Sequence, residues 1–409
     1  MGSDTVDNHA VDSAVEDEFR ERVRSFLAHH CIRRVESRDT PMLDDRTTAM
    51  TFQRDLFDAG LAGLTVPREY GGQALSRRHV ELFNEEAVDY YLPIGVFTIT
   101  IGMCVPVLLE HGTEAQRRRH IPNMLAGHEI WCQMFSEPNA GSDVASLQMR
   151  AVRDGDEWVI NGQKVWTSSA HYASYGMCVT RTDINVPKHQ GLTMIVVPMD
   201  APGVTVRPLI QATGDHGFNE VFCDDVRVPV DNVVGAVNNG WRVALSMLMN
   251  ERVALGASGN SLVSGRADVL IEAAKALGAT TQPLIRQALI DVYIREQVLR
   301  YVALRVRAAV GSGRAPGAEG SIAKLAGSEL VRRAASVHVQ LLQMRGTAWL
   351  DSDDDARKAV RTFIHAPSFS IAGGTTEVQR NIIGERVLGL PKDLEADRGV
   401  PFKDVLTNR

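Results

Sequence analysis

The sequence predicts an α+β fold that is mainly α, with an N-terminal helical domain, a middle antiparallel β domain and a C-terminal four-helix-bundle domain. Three observations carry this reading. From about Val11 to Gly127 apolar residues recur at three- and four-residue spacing, as in Phe52, Leu56, Phe57 and Leu61, with Pro67 and Gly71-Gly72 as punctuation. Between about Trp131 and Val234 short β-rich runs (157–160, 192–197, 203–208, 219–222 and 226–229) alternate with Gly, Pro, Asp and Asn clusters. From Gly240 to about Gly389 the helical period returns in four or five long segments, broken at 311–320 and around 351–355. The domains are therefore expected at 11–127, 128–237 and 238–395. A β layer between two helical layers follows, and domain junctions are favoured places for a large ligand pocket.

Composition sets the outer limits. A chain of 409 residues suggests two or three packed domains, and 44% hydrophobic with 23% charged residues is the make-up of a globular protein. The net charge of −6 offers no basic field for nucleic-acid phosphates. Five cysteines (Cys31, Cys104, Cys132, Cys178 and Cys223) lack CxxC or Cys/His spacing, so neither a metal site nor a disulfide framework is expected, and a reducing cytoplasm fits best. His171, His216, His338 and His365 also lack metal-ligand spacing and read as structural. The acidic N-terminus has no apolar run, which argues against a signal or transit peptide. One uncharged stretch, 91–109, has the length of a membrane span but holds Pro93, Pro106, Thr98, Thr100 and two glycines; a buried helix pair is expected there, and no membrane span. The acidic run 351–355 reads as a solvated loop.

Two segments carry the chemistry. Gln133-Met-Phe-Ser-Glu-Pro-Asn-Ala-Gly-Ser-Asp143 is followed, after one short hairpin, by Asn161-Gly-Gln-Lys-Val-Trp-Thr-Ser168. Pro138 and Gly141 force loop geometry, the hydroxyls of Ser136, Ser142 and Ser168 and nearby backbone N–H groups can bind a polar ligand, and Trp166 offers a flat apolar face. Either segment alone reads better as a turn with satisfied hydroxyls and a core tryptophan. Together, and in this order, they resemble the flavin-binding signature of the acyl-CoA dehydrogenase family. Pro67-Arg-Glu-Tyr-Gly-Gly72, Phe222-Cys-Asp-Asp-Val-Arg-Val-Pro229, Gly240-Trp-Arg-Val-Ala, Glu251-Arg252 and Gly373-Gly-Thr-Thr-Glu-Val-Gln-Arg380 extend the resemblance from about residue 12 to residue 395.

The resemblance implies FAD as cofactor and an acyl-CoA thioester as substrate. By it, the stretch Gln133, Met134, Phe135 and Ser136 holds the isoalloxazine edge, Trp166 packs on the flavin with Thr167 beside it, and Ser168 donates to flavin N5. Ser142 also belongs to the cofactor segment and, with Arg252, matches positions that contact the acyl-CoA. Thr375 and Glu377 match positions near the FAD adenosine, while Gln287 and Gln340 match glutamines that reach FAD across a subunit interface. A homodimer, homotetramer or hetero-oligomer is implied, with an electron-transfer flavoprotein as electron acceptor. Two features depart from the pattern. The arginine that precedes a Phe-Gly pair and contacts the FAD pyrophosphate has no counterpart in Ala273-Ala-Lys-Ala-Leu-Gly-Ala279, where Lys275 is the candidate substitute. The glycine pair after the interface glutamine is replaced as well, by Gln343-Met344.

The third departure concerns the base. Most members place the catalytic glutamate directly before Gly-Thr, where this chain has Gly373; a minority, including isovaleryl-CoA and long-chain acyl-CoA dehydrogenases, carries it after the β domain and before an arginine, as in Glu251-Arg252. Physical reasoning points the same way. If 241–255 is helical, the residues three and four away from Glu251 are Met247, Leu248, Ala254 and Leu255, so Glu251 emerges from a buried face. Desolvation there is expected to make it a better proton acceptor near neutral pH. Glu137, inside its turn, is expected to cap or pair. The implied reaction is α-proton abstraction by Glu251 with β-hydride transfer to flavin N5, giving a trans-2-enoyl-CoA, the backbone N–H of Gly373 and the adjoining Gly374 lying at the thioester carbonyl. Two rival readings share the fold: a flavin oxidase or monooxygenase, and a non-catalytic FAD-binding partner subunit.

Overall fold

The computed structural model describes residues 4–33, 45–257, 267–311, 318–350, 352–394 and 397–405. The chain divides into two compact units, one comprising Met1–Leu209, Gly217–Asn250 and Gly399–Arg409, the other Ile210–His216 and Glu251–Arg398.

In the first unit, α1 (Asp4–His30), α2 (Arg46–Asp58) and α3 (Arg77–Ala87) close a core of Phe19, Val23, Leu27, Phe52, Leu56 and Leu82, which recur at helical spacing. A two-residue antiparallel pair, β1 (Ile32–Arg33) and β2 (Tyr90–Tyr91), accompanies them. The expected helix pair over 91–109 is instead one irregular passage: a 3₁₀ turn at Gly95–Phe97, a π turn at Thr100–Cys104, and α4 (Val105–His111). Pro106 sits in the first turn of α4, where its missing N–H removes no helical bond. The passage is held in place by Thr100, whose hydroxyl accepts from Trp131 N at 2.8 Å. Among the described residues no helix is long and apolar enough to cross a membrane. A capping box of Thr113 and Gln116 starts α5 (Glu114–Leu125), and the Gln116 amide also donates to Asp231 O and Val233 O, tying the helix to the β domain.

That domain contains β3 (Trp131–Met134), β4 (Arg150–Asp154), β5 (Glu157–Ser168), β6 (Tyr175–Arg181), β7 (Leu192–Pro198), β8 (Val204–Leu209), β9 (Phe218–Pro229) and β10 (Val233–Val234). The sheet runs β10-β7-β6-β4-β5-β9-β8, with β3 added against β6. Neighbours are antiparallel, except that β3 and one bridge of β4 run parallel to β6. Runs 219–222 and 226–229 form one strand, β9, which turns through Asp225 at φ +49° while Asn161 brackets that residue with two hydrogen bonds. β6 and β7 lie between two cores. Met177, Val179, Leu192, Met194 and Val196 face the helices, whereas Cys178, Ile195 and Val197 face the rest of the sheet. The tail from Gly399 also belongs to this unit: Phe402 lies over the Arg181 guanidinium at 3.8 Å, and its N–H bonds to Val186 O.

The second unit is helical. The last residues of α6 (Gly240–Ala257), then α7 (Ala267–Ala276), α8 (Pro283–Gly311), α9 (Glu319–Leu342), α10 (Arg345–Ala348), α11 (Asp354–His365) and α12 (Thr376–Ile382) follow in order. Leu270, Ala274, Leu289, Val292, Leu330, Ala334, Val337 and Leu341 form the α7–α8–α9 core. The expected solvated acidic loop is a helix start: Asp353 caps α11 through Ala356 N and pairs with Arg345 through two bonds of 2.7 Å, and Asp354 and Asp355 occupy the first turn, where the helix dipole favours them. Asp351 lies outside the described residues.

Tight backbone contact explains the glycine pair in the Pro67–Gly72 turn. Gly71 has φ +84°, and a β-carbon on Gly72 would overlap the Val66 carbonyl. Gly72→Ala should therefore cost about 1–3 kcal/mol, lowering the melting temperature by roughly 2–10 °C in calorimetry. An unchanged melting temperature would contradict the contact.

Candidate active site

The two motif segments meet in the first unit. β3 carries Gln133 and Met134, paired with Met177 and Cys178 of β6, and the chain continues through Phe135 and Ser136 beside β5, where Val165 N donates to Ser136 O at 2.9 Å. Met134 and Phe135 are buried in the two cores on either side of the sheet, so only their backbone is left for a ligand. Strand alternation sends the two side chains to opposite faces.

A buried ion pair holds these strands. Lys164, fully buried, donates to Phe135 O and to Glu137 Oε1, both at 2.9 Å, while the Glu137 carboxylate also accepts from Gln148 N at 2.6 Å and Met149 N at 2.9 Å. Glu137 thus pairs, as expected. Lys164 stood in the motif without a role; the available signal was its alternation with Trp158 and Ile160, which a bulge at 160–162 obscures. Breaking such a pair from one side costs about 3–5 kcal/mol, because the remaining charge stays buried.

A second bulge, between Lys164 and Thr167, re-aims Trp166. Its backbone has φ +58° and the residue is 60% exposed, its ring meeting Phe218 edge-on. Trp166 is therefore no core tryptophan. Next to it Thr167 Oγ1 is buried without a hydrogen-bond partner among the described residues, as is Gln133 Nε2, while the Ser136 and Ser168 side chains are half-buried. An exposed flat ring beside orphaned donors and acceptors fits a planar ligand with polar edges, which is what an isoalloxazine is. Ser142 sits on an exposed loop ahead of a 3₁₀ turn at Val144–Ser146; Arg181 anchors the turn by donating to Ala145 O at 2.6 Å.

The second unit holds the other residues. Glu251 is half-buried on α6, continuing the side of the helix that buries Val243, Ala244 and Met247. The side chain of Arg252 lies outside the described residues. Gly373 and Gly374, at φ +66° and +90°, form the turn ahead of α12. Gln379, wholly buried, donates its amide to Gly373 O at 2.9 Å and Gly374 O at 3.3 Å. Lys324 of α9 donates to Gly374 O at 2.6 Å. Neither Gln379 nor Lys324 was found in the sequence, although Lys324 falls at helical spacing with the buried Ser321, Ser328, Val331 and Ala335.

Thr375 spends its hydroxyl on capping α12, accepting from Val378 N at 3.3 Å, and Glu377 is exposed in the first turn. Gln287 and Gln340 are exposed on α8 and α9. Lys275 pairs with Glu272 of its own helix at 2.7 Å. Of the histidines, His171 bonds to Asn219 and His338 is buried, which pushes its pKa down. Among the described residues no group of three potential metal ligands occurs, and all five cysteines are free thiols.

The comparisons with known proteins agree along the chain. Family models described as acyl-CoA dehydrogenase N-terminal domain, middle domain and C-terminal domain match residues 13–128, 132–226 and 238–388. The chain is 37% identical to acyl-CoA dehydrogenase IpdE1 of Mycobacterium tuberculosis over 386 residues, covering 92% of this chain and 98% of that protein. Among solved structures, one described as "Tcur3481-Tcur3483 steroid ACAD" is similar with TM-score 0.78 and 28% identity, over 93% of this chain and 98% of that one. The ChsE4-ChsE5 complex from Mycobacterium tuberculosis is similar with TM-score 0.75 and 32% identity, over 92% and 98%.

The two kinds of site residue separate experimentally. Trp166→Ala should leave the melting temperature of FAD-saturated protein within about 2 °C of the parent and weaken FAD binding about tenfold, because the exposed indole buries little of itself against protein. Lys164→Met should lower both. FAD titration and thermal melting of the two variants check this; parental FAD affinity in Trp166→Ala would contradict it.

Proposed function

The chain belongs to the acyl-CoA dehydrogenase family and is an FAD-dependent oxidoreductase of acyl-CoA thioesters; from that premise we propose that Glu251 is its base and that its substrate is a bulky or branched acyl-CoA of steroid-derived type. The observation that supports the base is the pairing of two positions. Gly373, where most of the family places a carboxylate, has no side chain, and Glu251 extends from the buried side of α6. The substrate class rests on the space a glycine leaves at 373 and on likeness to a structure described as a steroid ACAD.

The chemistry follows from the weak acidity of an acyl α-proton, which a carboxylate removes only when the thioester carbonyl is polarised. The Gly373 N–H is positioned for that role by a turn whose two carbonyls are occupied by Gln379 and Lys324. Bound FAD supplies the acceptor for the β-hydrogen and its electron pair. Glu251 takes the α-proton, and the product is a trans-2-enoyl-CoA. Ser136 and Ser168 offer hydroxyls to the flavin edge, Trp166 offers its ring face, and Ser142 and Arg252 serve the acyl-CoA. An electron-transfer flavoprotein then accepts the electrons, as the family resemblance implies. We keep 11–127, 128–237 and 238–395 as the domain division.

Assembly into at least a dimer, with a second copy or a homologous chain, completes the reading. Gln287 and Gln340 are exposed, and α8 presents a stripe of Ile290, Ile294, Val298 and Tyr301 at helical spacing, each more than half exposed. The similar ChsE4 and ChsE5 are described as a complex. Free thiols throughout suit a cytoplasmic setting.

Glu251→Gln keeps the volume and removes the proton acceptor. FAD should stay bound while anaerobic bleaching by substrate slows roughly a hundred- to ten-thousand-fold. Adding Gly373→Glu should restore part of the rate; full restoration is not expected, because a glutamate at φ +66° is strained. A parental bleaching rate in Glu251→Gln would make Glu251 structural, rapid aerobic peroxide formation would favour an oxidase, and a strong preference for butyryl-CoA across a thioester panel would refute the substrate class. Light scattering of FAD-bound protein should report a dimer or larger; a stable FAD-bound monomer would contradict the assembly.

A further inference from the structure

Helix α9 grips the segment that leads to the Gly373–Gly374 turn at two points one helical turn apart. Ser328 donates its hydroxyl to Phe369 O at 2.6 Å, and Lys324 donates its ammonium to Gly374 O at 2.6 Å. Gln379 supports the same turn from α12. The bonds of Gln379 and Ser328 are neutral. Lys324 differs, because a charge comes with its bond, and a single bond leaves an ammonium two further donors.

We propose that Lys324 is a positioning residue of the dehydrogenation: it holds the Gly373–Gly374 turn by the Gly374 carbonyl and contributes positive charge toward Glu251 on α6. The inference rests on Glu251 being the base. Burial pushes the Lys324 pKa below the usual lysine value, and the charges of Glu251 on α6 and Glu377 on α12 act against that shift. Such an attraction is mutual, so the ammonium favours the ionised form of Glu251 in turn. Other charges packed on α9 lie further along it. Asp291 and Arg295 of α8 and Arg380 of α12 engage Arg333 and Glu329, while Asp355 and Lys358 of α11 act on His338. Lys324 is thus a cation whose charge acts on Glu251.

One cation would thus serve both halves of proton abstraction. Through the turn it fixes where the carbonyl of the thioester is polarised; through its charge it sets the pH at which the base is ready. A purely structural lysine would do the first without the second, and the pH profile separates them.

The test is the rate of anaerobic flavin reduction by acyl-CoA in the FAD-bound enzyme, followed against pH for the parent, Lys324→Met, Lys324→Gln, Lys324→Arg and Glu251→Gln. Without the cation the carboxylate of Glu251 protonates more readily, so the acid limb should move to higher pH by about one unit in both Lys324→Met and Lys324→Gln. Lys324→Arg keeps the charge and should keep the limb. The plateau rate should fall about 10- to 100-fold in Lys324→Met, which cannot hold Gly374 O, and less in Lys324→Gln, which still has a donor. If Glu251→Gln abolishes reduction while Lys324→Gln and Lys324→Met keep the parental limb within about 0.3 unit, Lys324 is structural only and this proposal is overturned with the base assignment intact. If Glu251→Gln reduces its flavin at the parental rate, the base assignment itself fails. Should Lys324→Met not fold, the displaced limb of Lys324→Gln against the retained limb of Lys324→Arg decides the question alone.

Discussion

The buried pair of Lys164 and Glu137 is the interaction on which the flavin half of the site depends. Removing an ammonium and a carboxylate from water is costly, and here the cost is offset by four hydrogen bonds that reach three pieces of chain: Phe135 O, the Gln148 and Met149 amides, and the pair itself. Those pieces are the end of β3, the return after the Ser142 loop, and the middle of β5. None of them can slide without leaving a buried charge unsatisfied. That is why the β5 bulge can turn Trp166 outward at positive φ without disordering the strand, and why the hydroxyls of Ser136 and Ser168 have fixed places beside it.

The second unit meets a different demand under the proposed mechanism, which needs a carboxylate and an amide supplied from separate elements. Gly373 and Gly374 form a turn whose carbonyls are occupied by Gln379 and Lys324, so its N–H groups are presented by a rigid frame. The proposed base, Glu251, sits on α6, one and two turns beyond the buried Met247 and Val243 on the same side of the helix.

Much of this was legible in the sequence, and the exceptions have physical causes. Long amphipathic helices announce themselves through spacing, as Phe52, Leu56 and Leu61 do. β6 does not, because both its faces are buried and its residues show no polar alternation. The 91–109 stretch was correctly read as buried, but its 3₁₀ and π turns depend on where Thr100 meets Trp131, a contact made in three dimensions. The acidic run at 351–355 reads as a loop because a helix cap and an Arg345 partner are invisible until the chain is folded, although Asp354 and Asp355 are exposed as expected. Lys164, Gln379 and Lys324 were missed for a shared reason. Lysine and glutamine are ordinarily surface residues, and only burial converts them into supports for a site.

The central claim is that Glu251 removes the α-proton, and proton exchange tests it without any electron transfer. An acyl-CoA analogue with sulfur in place of the β-carbon cannot be oxidised across the α,β bond, yet its α-proton remains acidic. With the FAD-bound protein in deuterated water, mass spectrometry of the recovered analogue should show α-deuterium entering with the parent enzyme and none above the uncatalysed background with Glu251→Gln. Equal incorporation by the two proteins would contradict the account.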